Sequence, residues 1–160
     1  MAQATHYQKP GWLTRNVLNR MIARLTRMGV SVAGSRVLRV RGRTSGQMRS
    51  NPVNVLTLDG ERYLVAPRGV TDWVRNLRVA GTGELVVGRR VESFTATELV
   101  RVDGEAGAQE LALHVLREYL RRWKWEVGQF FGGVGPESTD EELLAIADKH
   151  PIFAVSTVTR

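Results

Sequence analysis

A chain of 160 residues, 42% hydrophobic and 24% charged, is large enough to bury one core, and no apolar run in it is long enough for a membrane-crossing helix. It has no cysteine, which excludes disulfides, a thiol nucleophile and thiolate metal sites; the first residues lack the apolar segment of a secretory signal, so a cytoplasmic protein is expected. The net charge of +7 is unevenly spread: residues 1–58 hold ten basic groups and no acidic one, residues 59–160 hold 13 basic and 16 acidic, so an anionic partner is expected at the N-terminal third.

In chain order, residues 12–28, "WLTRNVLNRMIARLTRM", place Leu13, Val17, Met21, Ile22, Leu25 and Met28 at helical spacing, with arginines filling much of the rest. Two uses fit this amphipathic helix: packing on its own domain, or lying peripherally on an anionic membrane face. Residues 1–33 are set apart as a helix and arm, ahead of one folded domain over 34–160. Past Gly34 the pattern turns to strands. "RVLRVR" (36–41) precedes a polar turn, "GRTSGQ", and "VNVLTL" (53–58), Asp59-Gly60 and "RYLVA" (62–66) form a strong hairpin signal. "ELVVG" (84–88), a turn at Arg89-Arg90 and the long arm 91–102 predict a second hairpin.

Between the hairpins, "TDWVRNLRVAG" predicts a short helix, capped by Thr71 or Asp72 and ended by Gly81. Residues 108–125 carry Leu111, Val115, Leu116, Tyr119, Leu120 and Trp123 on one side of a longer helix. Ser138 with Glu141 fits a capping box before a last helix, and "PIFAVSTV" (151–158) predicts a last strand. The fold class is α+β, with antiparallel strand pairs; pattern alone leaves a small barrel and an open sheet both standing.

Several chemistries are missing. His6, His114 and His150 are isolated and not at metal-ligand spacing, so no metal site is expected. There is no nucleophile elbow, no Walker loop and no dinucleotide fingerprint, so redox or transfer chemistry would belong to a bound organic cofactor. Nucleic acid is not the expected partner, because no binding motif occurs and aromatics for base stacking are absent between Gly29 and Tyr63.

What remains is an anion site. In "RVRGRTSGQMRSNPV" (39–53), Gly42 and Gly46 free the backbone, and Thr44, Ser45 and Gln47 supply short polar groups. Arg43 and Arg49 offer guanidinium forks for phosphate or carboxylate, while Arg39 and Arg41, on the preceding strand, face solvent in this reading. Pro52 then opens the next strand. Arg68, just ahead of the helix that starts near Asp72, is a second anion contact. The plain alternative makes Trp73 a core anchor and Arg75 and Asn76 helix surface.

The blocks "RGRTSGQMRSNPV", "DGERYLVAPRG" and "DWVRNLRVAG" resemble those of the deazaflavin-dependent oxidoreductases, a nitroreductase and quinone-reductase family of actinobacteria that uses coenzyme F420. The resemblance implies an antiparallel split β-barrel of the flavin-reductase-like kind. It implies that Arg43, Thr44, Ser45 and Arg49 contact the cofactor's phosphate and glutamate tail. Asn51, Pro52, Val53 and Asn54 would line the deazaflavin and ribityl chain, and Val65, Ala66, Pro67 and Arg68 the opposite lip. Trp73, Val74, Arg75 and Asn76 would close the site. Thr44, Pro67 and Val74 stand where the family more often has lysine, serine and an aromatic. The implied activity is hydride transfer from reduced F420 to an electron-poor small molecule: a quinone (lipophilic ones included), a nitroaromatic or an activated alkene. Tyr119 is the candidate proton donor, and Trp123, Trp125, Phe130 and Phe131 either line the acceptor pocket or pack the core. A split-barrel protein binding FMN or haem, and an F420 carrier without turnover, are the other readings. Monomer and homodimer both remain open.

Overall fold

The computed structural model describes residues 35–99 and 106–159. The expected helix 12–28 and arm 1–33 lie outside the described residues, as does the end of the arm expected to run to 102. The elements are β1 (Ser35–Arg41), β2 (Met48–Leu58), β3 (Glu61–Val65), α1 (Asp72–Ala80), β4 (Thr82–Val87), β5 (Arg90–Leu99), α2 (Ala106–Val127), a 3-10 turn (Gly128–Phe130), α3 (Asp140–Ala147) and β6 (Ile152–Thr157). The strands close into an antiparallel barrel in the order β1-β2-β3-β6-β5-β4, with β1 also paired to β4. Closure removes the open edges of a sheet and settles the choice between barrel and open sheet.

Turn chemistry sets the register. Asp59 and Gly60 both take positive φ, 51° and 82°, which matches the twist of a two-residue hairpin. The second hairpin turns at Gly88-Arg89, one residue before the expected pair, because Gly88 accepts a φ of 61° that an arginine resists. β2 begins at Met48, well before the expected Val53, since Met48 and Arg49 already pair with Arg41 and Val40. Pro52 therefore lies inside the strand. It is tolerated there because β2 pairs with β3 only over Val55–Leu58, so no ladder on that side needs its missing N–H.

Strand alternation feeds two cores. Val53 and Val55 point into the barrel with Leu38, Val40, Leu64, Leu85, Phe94 and Phe153. Leu56, Tyr63, Val65 and Ile152 face outward and are covered by Val115, Leu116, Tyr119, Leu120 and Trp123 of α2. Helix α1 plugs one end of the barrel with Trp73, Val74 and Leu77, and the Trp73 and Phe153 rings meet at 6.1 Å. Its last turn ends at Gly81, whose N–H donates to the Leu77 carbonyl at φ 68°. Arg78 fixes the helix sideways by a two-pronged pair with Glu98 of β5, at 2.8 and 2.6 Å. The α3 capping box uses Thr139 and Glu142, one residue later than the expected Ser138 and Glu141, because the Ser138 hydroxyl is taken by the N–H of Gly135.

Arg78→Ala should cost about 1–3 kcal/mol, since it removes two charge-assisted bonds and leaves Glu98 half-buried and unpaired. The urea midpoint should fall accordingly; an unchanged midpoint would show that apolar packing alone seats α1.

Candidate functional site

The loop between β1 and β2 is closed by its own bonds. Gly42 N–H donates to the Gln47 carbonyl at 2.7 Å, Gly46 N–H to the Gly42 carbonyl at 2.9 Å, and Gln47 N–H to Ser45 Oγ at 3.2 Å. A Cβ at Gly42 would come within 2.9 Å of Ser45 Oγ and 3.2 Å of the Gln47 carbonyl, so a side chain there would displace the Ser45 hydroxyl and loosen the turn. Gly46 takes φ 70° over open space. Arg41 donates from Nη1 to the Gly46 carbonyl at 2.8 Å.

Arg43 ties this loop to α1. Its backbone N–H and its Nη1 both donate to Asn76 Oδ1, at 3.1 and 2.8 Å, and its Nη2 reaches Asp72 Oδ1 at 3.3 Å. Asn76 is only 4% exposed, so this bifurcated acceptor sits inside the barrel end. Arg75 also approaches Asp72, at 3.7 Å. Arg43 thus spends much of its charge on the protein itself. Arg49 has no carboxylate within ion-pair distance among the described residues, and the Thr44 and Ser45 side chains are exposed beside it. A groove of about 420 Å³ runs along Arg41–Gly46 and is bounded by Val79 and Ala80.

The two expected lips flank the place where the β2–β3 ladder stops, beyond Val55 and Leu64. On the first, Asn51 is half-buried and Pro52 exposed, whereas Val53 belongs to the barrel core. Asn54 faces outward, and its Nδ2 donates to Glu126 Oε2 at 3.3 Å. On the second, Val65 lies under α2 and Ala66 inside the barrel, leaving Pro67 and Arg68 at the rim. Trp73 and Val74 are core side chains, Val74 wholly enclosed. Val53, Val65, Ala66, Trp73 and Val74 are therefore core side chains beneath the rim. Tyr119 is 1% exposed; burial, helped by Glu126, pushes its phenol pKa up, and a hydrogen bond with Asn54 opposes this. Of the aromatics, Trp123 and Phe131 are core, Trp125 is 75% exposed, and Phe130 is half-buried with the Arg68 guanidinium over its ring at 5.0 Å.

His150 is the residue sequence reasoning set aside. It is 6% exposed, stacks on Phe131 at 4.2 Å, and its Nδ1 lies 3.2 Å from the Ala66 carbonyl, to which it donates. Burial lowers its pKa and keeps the ring neutral. Nothing local in "KHPIF" announces this, because the partners come from elsewhere in the chain, Ala66 just past β3 and Phe131 after the 3-10 turn. Among the described residues no cluster of His, Cys, Asp or Glu could hold a metal.

Residues 13–125 match the family model described as F420H(2)-dependent quinone reductase. The chain belongs to this family. It is an F420-dependent oxidoreductase on a split β-barrel. Three solved structures share the fold at low identity. A domain-swapped dimer is 18% identical with TM-score 0.53, over 92% of this chain and all of that one. A pyridoxamine 5'-phosphate oxidase-related, FMN-binding protein from Nostoc punctiforme is 12% identical with TM-score 0.53, over 94% and 82%. The haem storage protein HutZ from Vibrio cholerae is 10% identical with TM-score 0.51, over 86% and 88%. Comparison with characterised sequences gives no match. The donor set of the reductase fits F420: the tail is polyanionic, and the rim presents arginines and hydroxyls around open space at Gly46.

Asn76→Ala should remove the shared acceptor of both Arg43 donors, costing about 1–3 kcal/mol and loosening anion binding with it. Unchanged thermal stability and cofactor affinity would show the link to be dispensable. The depressed His150 pKa means that the unfolded chain takes up this proton first as pH falls. Its stability is intact above the ordinary value of 6.5 and should decline as pH drops from there through the folded value. His150→Gln should flatten that acid limb in denaturant titrations between neutral and mildly acidic pH.

Proposed function

We propose that this reductase carries a hydride and its electron pair from reduced F420 to a quinone, with nitroaromatics and activated alkenes as further acceptors. The supporting observation is the Arg43–Asn76–Asp72 link, which locks the β1–β2 loop onto α1 and leaves Arg49, Thr44 and Ser45 turned to solvent. In this reading Arg49, Thr44, Ser45 and the remaining donors of Arg43 and Arg41 hold the phosphodiester and carboxylates of the tail. FMN, with a single phosphate, would use fewer of them. Asn51–Asn54 and Val65–Arg68 form the two lips around the ring, with Arg75 and Asn76 closing the end nearest the tail.

The bound deazaflavin supplies the hydride chemistry; the protein orients it and excludes water. Core side chains below the rim, Val53, Ala66, Trp73 and Val74, make a floor that does not yield. Tyr119 enters as the residue that keeps Asn54 in place. A phenol held protonated and this deeply enclosed serves as a fixed hydrogen-bonding group for Asn54 and not as the proton donor to an acceptor.

The test is equilibrium binding of F420 and of FMN to the purified chain, followed by oxidation of reduced F420 with a quinone, a nitroaromatic and an activated alkene in parallel. F420 should bind more tightly than FMN, and Arg49→Ala should weaken F420 by about tenfold at low salt and less at high salt. Tight FMN binding with none for F420 would sink the proposal.

A further inference from the structure

A second groove, of about 460 Å³, opens beside the Ala66–Arg68 lip and is lined by Pro67, Arg68, Gly69, Phe130, Lys149 and His150. It shares no lining residue with the groove along Arg41–Gly46. We propose that it receives the oxygen of the electron acceptor, with Arg68 and Lys149 as counter-charges for the negative charge that reduction places there. This rests on the reductase reading above and gives it a place for the second substrate.

The groove is held in shape by bonds between chain segments. Ala66 N–H donates to the Pro151 carbonyl at 2.9 Å, and His150 Nδ1 donates back to the Ala66 carbonyl at 3.2 Å. The exit of β3 and the entry to β6 are thereby joined side by side. Gly69, at φ 80°, lets the Lys149 carbonyl approach so closely that an added Cβ would meet it at 3.1 Å. Phe130 carries the Arg68 guanidinium over its face, which fixes that cation at the rim. Neither Arg68 nor Lys149 has a carboxylate within ion-pair distance among the described residues, although Asp148 lies within electrostatic reach of His150. The groove thus holds two cations without a paired carboxylate and a neutral imidazole, on a partly aromatic floor.

That combination suits an acceptor better than it suits the cofactor tail. A quinone accepts a hydride with its electron pair, is reduced by two electrons, and carries one anionic oxygen until a proton from solvent completes the hydroquinone. A positive pair beside that oxygen stabilises the charge as it develops, and more strongly than it stabilises the neutral quinone. The flexible carboxylates of the tail have their own arginines across the lips.

Lys149 is exposed, so Lys149→Ala should fold, and Lys149→Arg restores the charge. Three quantities should be read on the full chain: the Kd of 2-hydroxy-1,4-naphthoquinone, which is anionic at neutral pH, the Kd of F420, and kcat and KM with a neutral quinone. The alanine variant should bind the anionic quinone about five- to tenfold more weakly, with F420 affinity within about twofold of the parent. Its kcat on the neutral quinone should fall more than its KM rises, and the arginine variant should recover both. Unchanged binding of the anionic quinone would overturn the proposal. So would an equal loss of F420 affinity, which would assign the groove to the cofactor tail. If the parent chain failed to bind F420 but still bound the anionic quinone through Lys149, the reductase reading would fall and the groove would stand.

Discussion

The Asn76 carboxamide is the point on which the rim depends. A buried amide oxygen must be satisfied, and this one receives both a backbone and a guanidinium N–H from Arg43, 33 residues earlier. Because Asn76 sits between Trp73, Val74 and Leu77, all packed into the barrel, its oxygen is as fixed as the core itself. The loop acquires that rigidity in turn. A surface turn rich in glycine would otherwise sample many conformations, and ordering it on a ligand would cost binding free energy. Here the ordering is largely done by folding.

The same economy appears in the long strand β2. Its odd-numbered Val53 and Val55 point inward, its even-numbered Asn54 and Leu56 outward to α2, and its first half is paired on the β1 side alone. One strand therefore contributes to the barrel core, to the helix-covered core and to the open lip. The Asn54, Tyr119 and Glu126 contacts attach α2 to that lip, so the helix supports the site as well as covering the barrel.

Much of this was legible in the sequence where the deciding forces are local. The Asp59-Gly60 hairpin, the helix at 72–80 and its Gly81 terminus follow from residues that are neighbours in the chain. The misplacements are equally physical. Ser138 and Thr139 are both competent caps, and only the position of Gly135 N–H decides which hydroxyl is free. Gly88 displaces Arg90 from the two-residue turn because it accepts the positive φ. Pro52 reads as a strand start until the missing ladder beside it is known. His150 looked isolated because its partners, Ala66 and Phe131, come from two other parts of the chain. Closure of the barrel was out of reach of pattern alone, since it rests on the β1–β4 pairing between residues nearly fifty positions apart; the family resemblance carried that expectation, and the barrel bears it out.

The cluster of arginines between Arg39 and Arg49 shows why a charge count overstates a binding site. Arg39 is paired with Glu84 across the sheet at 3.2 Å, and Arg41 gives one donor to the Gly46 carbonyl. Arg43 is bound to Asn76 and Asp72. Among the described residues Arg49 alone of the four has neither a carboxylate nor a carbonyl partner. Two of the four cations thus brace the loop, one braces the sheet beside it, and Arg49 is left without a protein partner among the described residues. The electrostatic field at the rim is still positive, because of those three only Arg39 meets a half-buried carboxylate, while Arg43 shares the exposed Asp72 with Arg75. In the proposed site, selectivity would come from the placement of that field by a buried amide, since charge alone would attract any anion and orient none.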